Sequence, residues 1–211
     1  SYFANIPAPP TVSITGDNSF CTGTAADLSA SAGLQSYLWS TGQNGPDIVV
    51  TTGGTFSVTA TDAFGCTATN SFSVNQLPAP QPLVVGPASL CDGLSGTYNT
   101  SNNFPSYSWS NGQNTASITV NSGGIYTVTV TAANGCTGTD SQNLTLIPAP
   151  NPGITQAIFA CDNQLTLNAG GGFSTYSWSS SGNTQNITVN ASGSYTVTVT
   201  NAQGCTGTDT Y

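Results

Sequence analysis

One segment, about 70 residues long and so the size of a small domain with its own core, occurs three times in this chain. Inside each copy a Trp and a Cys stand at the same separation: Trp39 and Cys66, Trp109 and Cys136, Trp178 and Cys205. The repetition therefore predicts a string of domains rather than one globule. Such strings serve reach or repeated binding more readily than a single active centre. A second landmark returns once per repeat as Ile6-Pro7-Ala8-Pro9, Leu77-Pro78-Ala79-Pro80 and Ile147-Pro148-Ala149-Pro150. Alternating prolines hold the backbone extended and remove amide donors, so these read as short, stiff linkers. The boundaries expected are residues 1–9 as the end of a preceding repeat, then repeats at 10–80, 81–150 and 151–211. The final strand of the third repeat is expected to be truncated. Ser1 to Ile6 aligns with the tail of such a strand, so the residues read as a window on a longer array.

Each repeat reads as all-β. Tyr126, Val128 and Val130 alternate with Thr127, Thr129 and Thr131; Tyr195, Val197 and Val199 alternate with threonines in the same way; Phe56, Val58 and Ala60 hold those places in the first repeat. Alternation with period two gives one apolar and one hydroxylated face, as in an antiparallel sheet with one wet side. A second strand carries the tryptophan and a third carries Ile48-Val49-Val50, Ile118-Thr119-Val120 or Ile187-Thr188-Val189. Glycines at 65, 135 and 204 mark a hairpin just before the second cysteine of each repeat. Six or seven short strands per repeat predict a β-sandwich, three in tandem. Trp39, Trp109, Trp178, Tyr126, Tyr195 and Phe56 are the expected core anchors.

Composition excludes several functions. The chain has no Lys, Arg or His, and its eight charges are all Asp, for a net charge of −8. Nucleic-acid binding is not expected, because no cation is present to neutralise phosphate. Imidazole bases, Schiff-base lysines and arginine clamps are equally absent, and no Ser-His-Asp triad can exist. No Asp pair recurs in all three repeats, so the chain is not expected to be an enzyme. No run of 18 apolar residues suggests membrane insertion.

Six cysteines fall two to a repeat and indicate an oxidising compartment. The repetition suggests that each repeat closes its own bridge: Cys21–Cys66, Cys91–Cys136 and Cys161–Cys205. A loop of roughly 45 residues closed in this way would stabilise a small sandwich by roughly 4 kcal/mol. Zinc is disfavoured, since two thiols per repeat without His are too few ligands. Candidate calcium ligands are Asp92 with Asp140 and Asp162 with Asp209. The first repeat has Thr22 and Asn70 in their places. Two carboxylates fall short of the six to eight oxygens calcium takes, so turn residues are the favoured reading and no cofactor is expected.

The succession W-S-x-G, I-x-V, G-x-Y-x-V-x-V-T and N-x-x-G-C resembles the PKD-type and immunoglobulin-like modules of very large secreted surface proteins of Bacteroidetes. Those proteins include gliding-motility adhesins exported by the type IX system. Gly124-Ile125-Tyr126-Thr127-Val128-Thr129-Val130-Thr131 carries the resemblance most specifically. Two features depart from it: the usual W-D-F-G-D-G is Trp39-Ser40-Thr41-Gly42 or Trp109-Ser110-Asn111-Gly112, and the second cysteine follows its strand instead of lying within it. The resemblance implies sandwiches acting as spacers: a disulfide-stabilised stalk of an extracellular adhesin or surface filament, for adhesion or gliding motility. The partners it implies are neighbouring repeats of the same long chain. Alternatives are a carbohydrate-binding string on a secreted enzyme, with surface glycans as partners, and a self-associating fibre subunit.

Overall fold

The computed structural model describes residues 8–159 and 164–211, and every regular element among them is a β-strand. In the first repeat these are β1 (Ile14–Gly16), β2 (Ser19–Cys21), β3 (Ala26–Ala30), β4 (Ser36–Trp39), β5 (Asp47–Val50), β6 (Gly54–Thr61) and β7 (Thr67–Leu77). The second repeat has β8 (Val84–Val85), β9 (Ser89–Cys91), β10 (Gly96–Thr100), β11 (Ser106–Trp109), β12 (Ser117–Val120), β13 (Gly124–Thr131) and β14 (Thr137–Ile147). The third has β15 (Thr155–Phe159), β16 (Gln164–Asn168), β17 (Thr175–Trp178), β18 (Asn186–Val189), β19 (Thr196–Thr200) and β20 (Thr206–Thr210).

Each repeat contributes two sheets, and no sheet mixes strands from different repeats. Their orders are β1-β3-β5 with β2-β7-β6-β4, β12-β10-β8 with β11-β13-β14-β9, and β15-β16-β18 with β17-β19-β20. The fold is thus all-β and sandwich-like, as the alternation predicts. In the first repeat the chain changes sheet between β1 and β2 at Gly16. Its φ is +152°, and a Cβ there would strike the backbone of Asp27 and Leu28. Compact packing divides the described chain into two units. One holds the residues up to Pro82 with Phe104–Ser108 and Thr129–Thr139; the other holds Leu83–Asn103, Trp109–Val128 and Asp140–Tyr211.

The period-two pattern is what fills the cores. In β6, Phe56, Val58 and Ala60 are buried, and they pack with Leu28, Trp39, Ile48, Val50 and Val74. In the third repeat Val197 and Val199 pack with Leu167, Trp178 and Val189. All three tryptophans are buried, and each indole N–H donates to a carbonyl six residues ahead: Gly45 at 3.0 Å, Thr115 at 2.9 Å and Thr184 at 2.9 Å. An indole buries roughly 150–250 Å², which contributes about 4–6 kcal/mol at about 25 cal/mol per Å². That hydrogen bond removes the cost of taking the indole N–H out of water. The hydroxylated face pairs with itself across strands, as in Thr59 with Thr69 at 3.2 Å and Thr196 with Thr210 at 2.9 Å.

Phe56 takes its expected core place, but Tyr126 and Tyr195 stop at the margin of theirs, half-buried. Tyr126 donates to the Ser122 carbonyl at 2.9 Å and Tyr195, packed against the core of the third repeat, to the Ala191 carbonyl at 2.8 Å. A phenylalanine has no such tie. The fully buried tyrosine of the second repeat is Tyr98, which donates to the Pro87 carbonyl at 3.0 Å and meets Tyr126 edge to face at 5.5 Å.

Gly42 and Gly112 end the Trp turns with φ of +82° and +84°, but the third repeat places Ser181 there with φ of +69°. A side chain in that region is strained. Ser181→Gly should therefore stabilise the chain by about 0.5–1 kcal/mol in urea denaturation, after allowing for glycine's looser unfolded state. For Tyr98, burial first, and the neighbouring Tyr126 second, push the phenol above its ordinary value of 10.0. The fold prefers the neutral form. Its stabilising effect is whole below pH 10 and is lost as pH rises through the raised folded value. Tyr98→Phe, although weaker at neutral pH by about 1 kcal/mol for the lost hydrogen bond, should show a shallower fall in stability above pH 10.

Candidate functional site

The cysteine-bearing ends of the repeats form the site with most chemical consequence. Strand β7 is eleven residues long. Its first eight residues, Thr67 to Val74, pair antiparallel with β6, and its last three, Asn75 to Leu77, pair in parallel with β2. Cys21 therefore stands opposite Leu77, at the entrance to the proline linker, while Cys66 immediately precedes β7 at its other end. At about 3.3 Å per residue the two ends of β7 are roughly 33 Å apart. A disulfide requires Cα atoms within about 7 Å. The second repeat has the same layout, with Cys91 opposite Ile147 and Cys136 just before β14.

The expected bridges Cys21–Cys66 and Cys91–Cys136 are thus wrong, because strand length separates the two thiols of one repeat. The bonds formed are Cys21–Cys136 and Cys91–Cys205, with Cα atoms 5.7 and 5.5 Å apart. Each joins the first cysteine of one repeat to the second cysteine of the next. Cys205 is consequently not bonded to Cys161, which lies outside the described residues. Among the described residues Cys66 is a free, exposed thiol. The bridges span 115 and 114 residues. By chain-entropy reasoning a ring of that size is worth about 5 kcal/mol, little more than the smaller loop would have given. The larger change is topological: covalent bonds cross between repeats. Two such bonds place the chain in an oxidising compartment.

A hairpin presents the second cysteine in the same way each time. Asp62, Ala132 and Asn201 each donate a backbone N–H to the carbonyl of Cys66, Cys136 and Cys205, at 2.9, 2.8 and 2.9 Å. Side-chain oxygens fix the turn, with Asp62 accepting from Cys66 N, Asn134 from Cys136 N and Asn201 from Cys205 N. The linker then lies against this hairpin. The Asn134 amide donates to the Pro78 carbonyl at 3.0 Å. Two residues past the second cysteine, a Cβ on Gly138 would fall on the Pro80 carbonyl, and one on Gly207 on the Pro150 carbonyl. Those glycines are required for close approach of backbone to backbone. Sequence reasoning missed them, although Thr137-Gly138-Thr139-Asp140 and Thr206-Gly207-Thr208-Asp209 share a pattern that Thr67-Ala68-Thr69-Asn70 breaks.

The carboxylates considered for calcium are not brought together. Asp140 lies seven residues before Ile147 on β14, whereas Asp92 N bonds the Ile147 carbonyl, so roughly 23 Å of strand separates them. Asp140 instead accepts from Val84 N at 2.7 Å, and Asp209 from Ile154 N at 2.9 Å, anchoring the segment that follows each linker. Asn70 serves the first repeat differently, donating to the Val12 carbonyl at 2.9 Å. Asp162 lies outside the described residues. No group of three His, Cys, Asp or Glu is found among the described residues. A groove of about 400 Å³ on the first repeat is lined by Asp27, Gln43, Asp47, Ile48 and Val49 among others; no aromatic ring faces it. No helix among the described residues is long and apolar enough to cross a membrane.

If the glycine contacts seat the linker, Gly138→Ala and Gly207→Ala should each destabilise the oxidised chain by about 1–3 kcal/mol, the usual cost of overpacking. Gly153→Ala, where no atom lies within 4 Å of the added carbon, serves as the neutral control. Chemical denaturation of the three variants measures the difference.

Residues 77–146 match the family described as the PKD-like domain, about a third of the chain. No curated protein matches. Among solved structures, murine CEACAM1b aligns at 11% identity and a TM-score of 0.30, over 64% of this chain and all of that one. A Bacteroides ovatus protein also aligns, SGBP-B of a mixed-linkage glucan utilization locus, in complex with a mixed-linkage heptasaccharide. There the identity is 14% and the TM-score 0.25, over 96% of this chain and 64% of that one. The second repeat is accordingly a PKD-like, sandwich-type module, and its layout of strands and cysteines is that of the first.

Proposed function

We propose that this chain is a repeat segment of a long extracellular adhesin or cell-surface filament, acting as a disulfide-coupled stalk for adhesion or gliding motility. The observation that carries the reading is the bridge pattern. A bond confined to one repeat protects that repeat alone, whereas bonds from each repeat to the next give load a covalent path across the linkers at 77–80 and 147–150. The PKD-like match of the second repeat and the resemblance to Bacteroidetes surface modules support the same reading. A chain without Lys, Arg or His offers trypsin-like proteases no cleavage site, which suits prolonged exposure outside the cell. Neither catalysis nor a cofactor is part of this role, and the partners are neighbouring repeats of the same kind.

Pulling on the two ends of the chain tests it. In the oxidised form the shortest covalent path has twenty steps to Cys21, forty-five between Cys136 and Cys91, and six from Cys205 to Tyr211. Its taut length is about 25 nm, against about 70 nm for the reduced chain at full extension. Single-molecule force spectroscopy should show extension stopping near the shorter value until reductant is added. Equal extension in both conditions would remove the load-bearing argument. Selective binding of the oxidised chain to an immobilised glycan panel would favour the carbohydrate-binding alternative.

A further inference from the structure

Two turns of the second repeat, 109–112 and 132–135, are built alike around an Asn-Gly pair. In each the glycine N–H donates to the carbonyl three residues back, Gly112 to Trp109 and Gly135 to Ala132, both at 2.9 Å. The two glycines have φ of +84° and +82°. Each asparagine Oδ1 accepts the backbone N–H two residues ahead, Asn111 from Gln113 at 3.2 Å and Asn134 from Cys136 at 3.1 Å. Both asparagines are exposed. The amide nitrogen separates them. That of Asn134 donates to the Pro78 carbonyl of the linker at 3.0 Å, whereas that of Asn111 has no partner among the described residues. The remaining Asn-Gly pair, Asn44-Gly45, is built differently, with Asn44 in a β-bridge to Leu38.

We propose that Asn134 is a self-modifying fastening: a deamidation site that the seated linker protects and that, once reacted, no longer holds the linker. The Gly135 backbone nitrogen gives up its proton to solvent base and attacks the side-chain carbonyl carbon of Asn134. A C–N bond forms there, the bond to the amide nitrogen breaks, and ammonia leaves a cyclic imide. Water then opens the imide at either carbonyl, giving aspartate or isoaspartate. In sum an amide and water become a carboxylate and ammonium, with no change of oxidation state. Glycine suits the step because no side chain crowds the attacking nitrogen.

The nitrogen that must leave Asn134 is the one bonded to Pro78, so a seated linker opposes the reaction. A hydrogen bond of ordinary net strength slows a step that breaks it by about two- to tenfold. The product carboxylate has no N–H to offer the Pro78 carbonyl, and it sets oxygen against oxygen. It still accepts from Cys136 N, so the hairpin keeps its turn while the linker loses its tie. Phe64 and Gln203 hold the equivalent places in the other repeats, and neither closes that imide. A linker lifted from the second repeat's hairpin therefore leaves a lasting chemical mark that hinders its return.

The test follows both asparagines in one sample. The full oxidised chain is aged in warm, mildly alkaline buffer, then reduced, digested with a protease that cuts at aromatic residues, and sequenced by mass spectrometry. Asn111 should deamidate about two to ten times faster than Asn134. In the reduced, urea-unfolded chain the two rates should converge. Gly138→Ala, which crowds the linker off its hairpin, should raise the rate at Asn134 toward that at Asn111 and leave Asn111 unchanged. Far-UV circular dichroism verifies that this variant folds; where it does not, the folded and unfolded rates of the unaltered chain decide. In amide NMR spectra Asn134→Asp should move the signal of Ala79, whose N–H shares a peptide group with the Pro78 carbonyl. Equal rates in the folded chain, a difference that persists on unfolding, or a folded Gly138→Ala chain with Asn134 no faster would overturn the protection. An Ala79 signal unmoved by Asn134→Asp would overturn the fastening.

Discussion

The parallel pairing of a three-residue strand with the tail of an eleven-residue one organises much else in this protein. Where β2 meets the last three residues of β7, and β9 the last three of β14, the first cysteine is carried to the linker end of its repeat. The hairpin before β7 or β14 holds the second cysteine at the opposite end. A sandwich whose thiols sit at opposite ends has no means of bonding to itself, but it is well formed for bonding to the repeat before and the repeat after. Small side chains complete the arrangement. Glycine two residues past the second cysteine lets the linker backbone lie directly on the hairpin, and Asp140 and Asp209 tie down the segment that follows.

This layout also accounts for the composition. A chain without cations has no salt bridges between side chains, and it rests on buried apolar faces, hydroxyl pairs across strands and backbone hydrogen bonding. The tryptophans show how such a core is secured: a large apolar body buried, with its one polar group bonded to the turn that follows. Several Asp side chains accept from backbone N–H groups, Asp62 within its hairpin and Asp140 and Asp209 from the segment that follows each linker. Those roles explain why paired carboxylates that look like metal ligands in the sequence are spread along the strands in the fold.

The first repeat is the informative exception. It has Ala68 for glycine, Asn70 for aspartate and Phe64 near the hairpin tip. Ala68 falls where Gly138 and Gly207 meet the linker, Phe64 where Asn134 bonds it, and Asn70 where Asp140 and Asp209 hold the segment after the linker. The core of the first repeat, by contrast, follows the common plan, with Trp39, Val58 and Ala60 buried in the places of Trp109, Val128 and Val130.

Legibility in the sequence followed the range of the interactions. Strand identity, the buried faces, the hairpins before Cys66, Cys136 and Cys205 and the core tryptophans were readable, because alternation and glycine turns are local signals that act within a few residues. The tyrosines at 126 and 195 reach the core only in part, half-buried, with Tyr195 packed against the third repeat's cluster and Tyr126 against Tyr98. The sulfur pairing was settled only in three dimensions. Equivalent cysteines in every repeat are as compatible with bonds inside repeats as between them. Deciding between the two requires knowing that β2 joins its sheet in parallel at the far end of β7, a contact between residues more than fifty positions apart. Local chemistry thus determined what each repeat is made of, and the long-range register of one short strand determined how the repeats are joined.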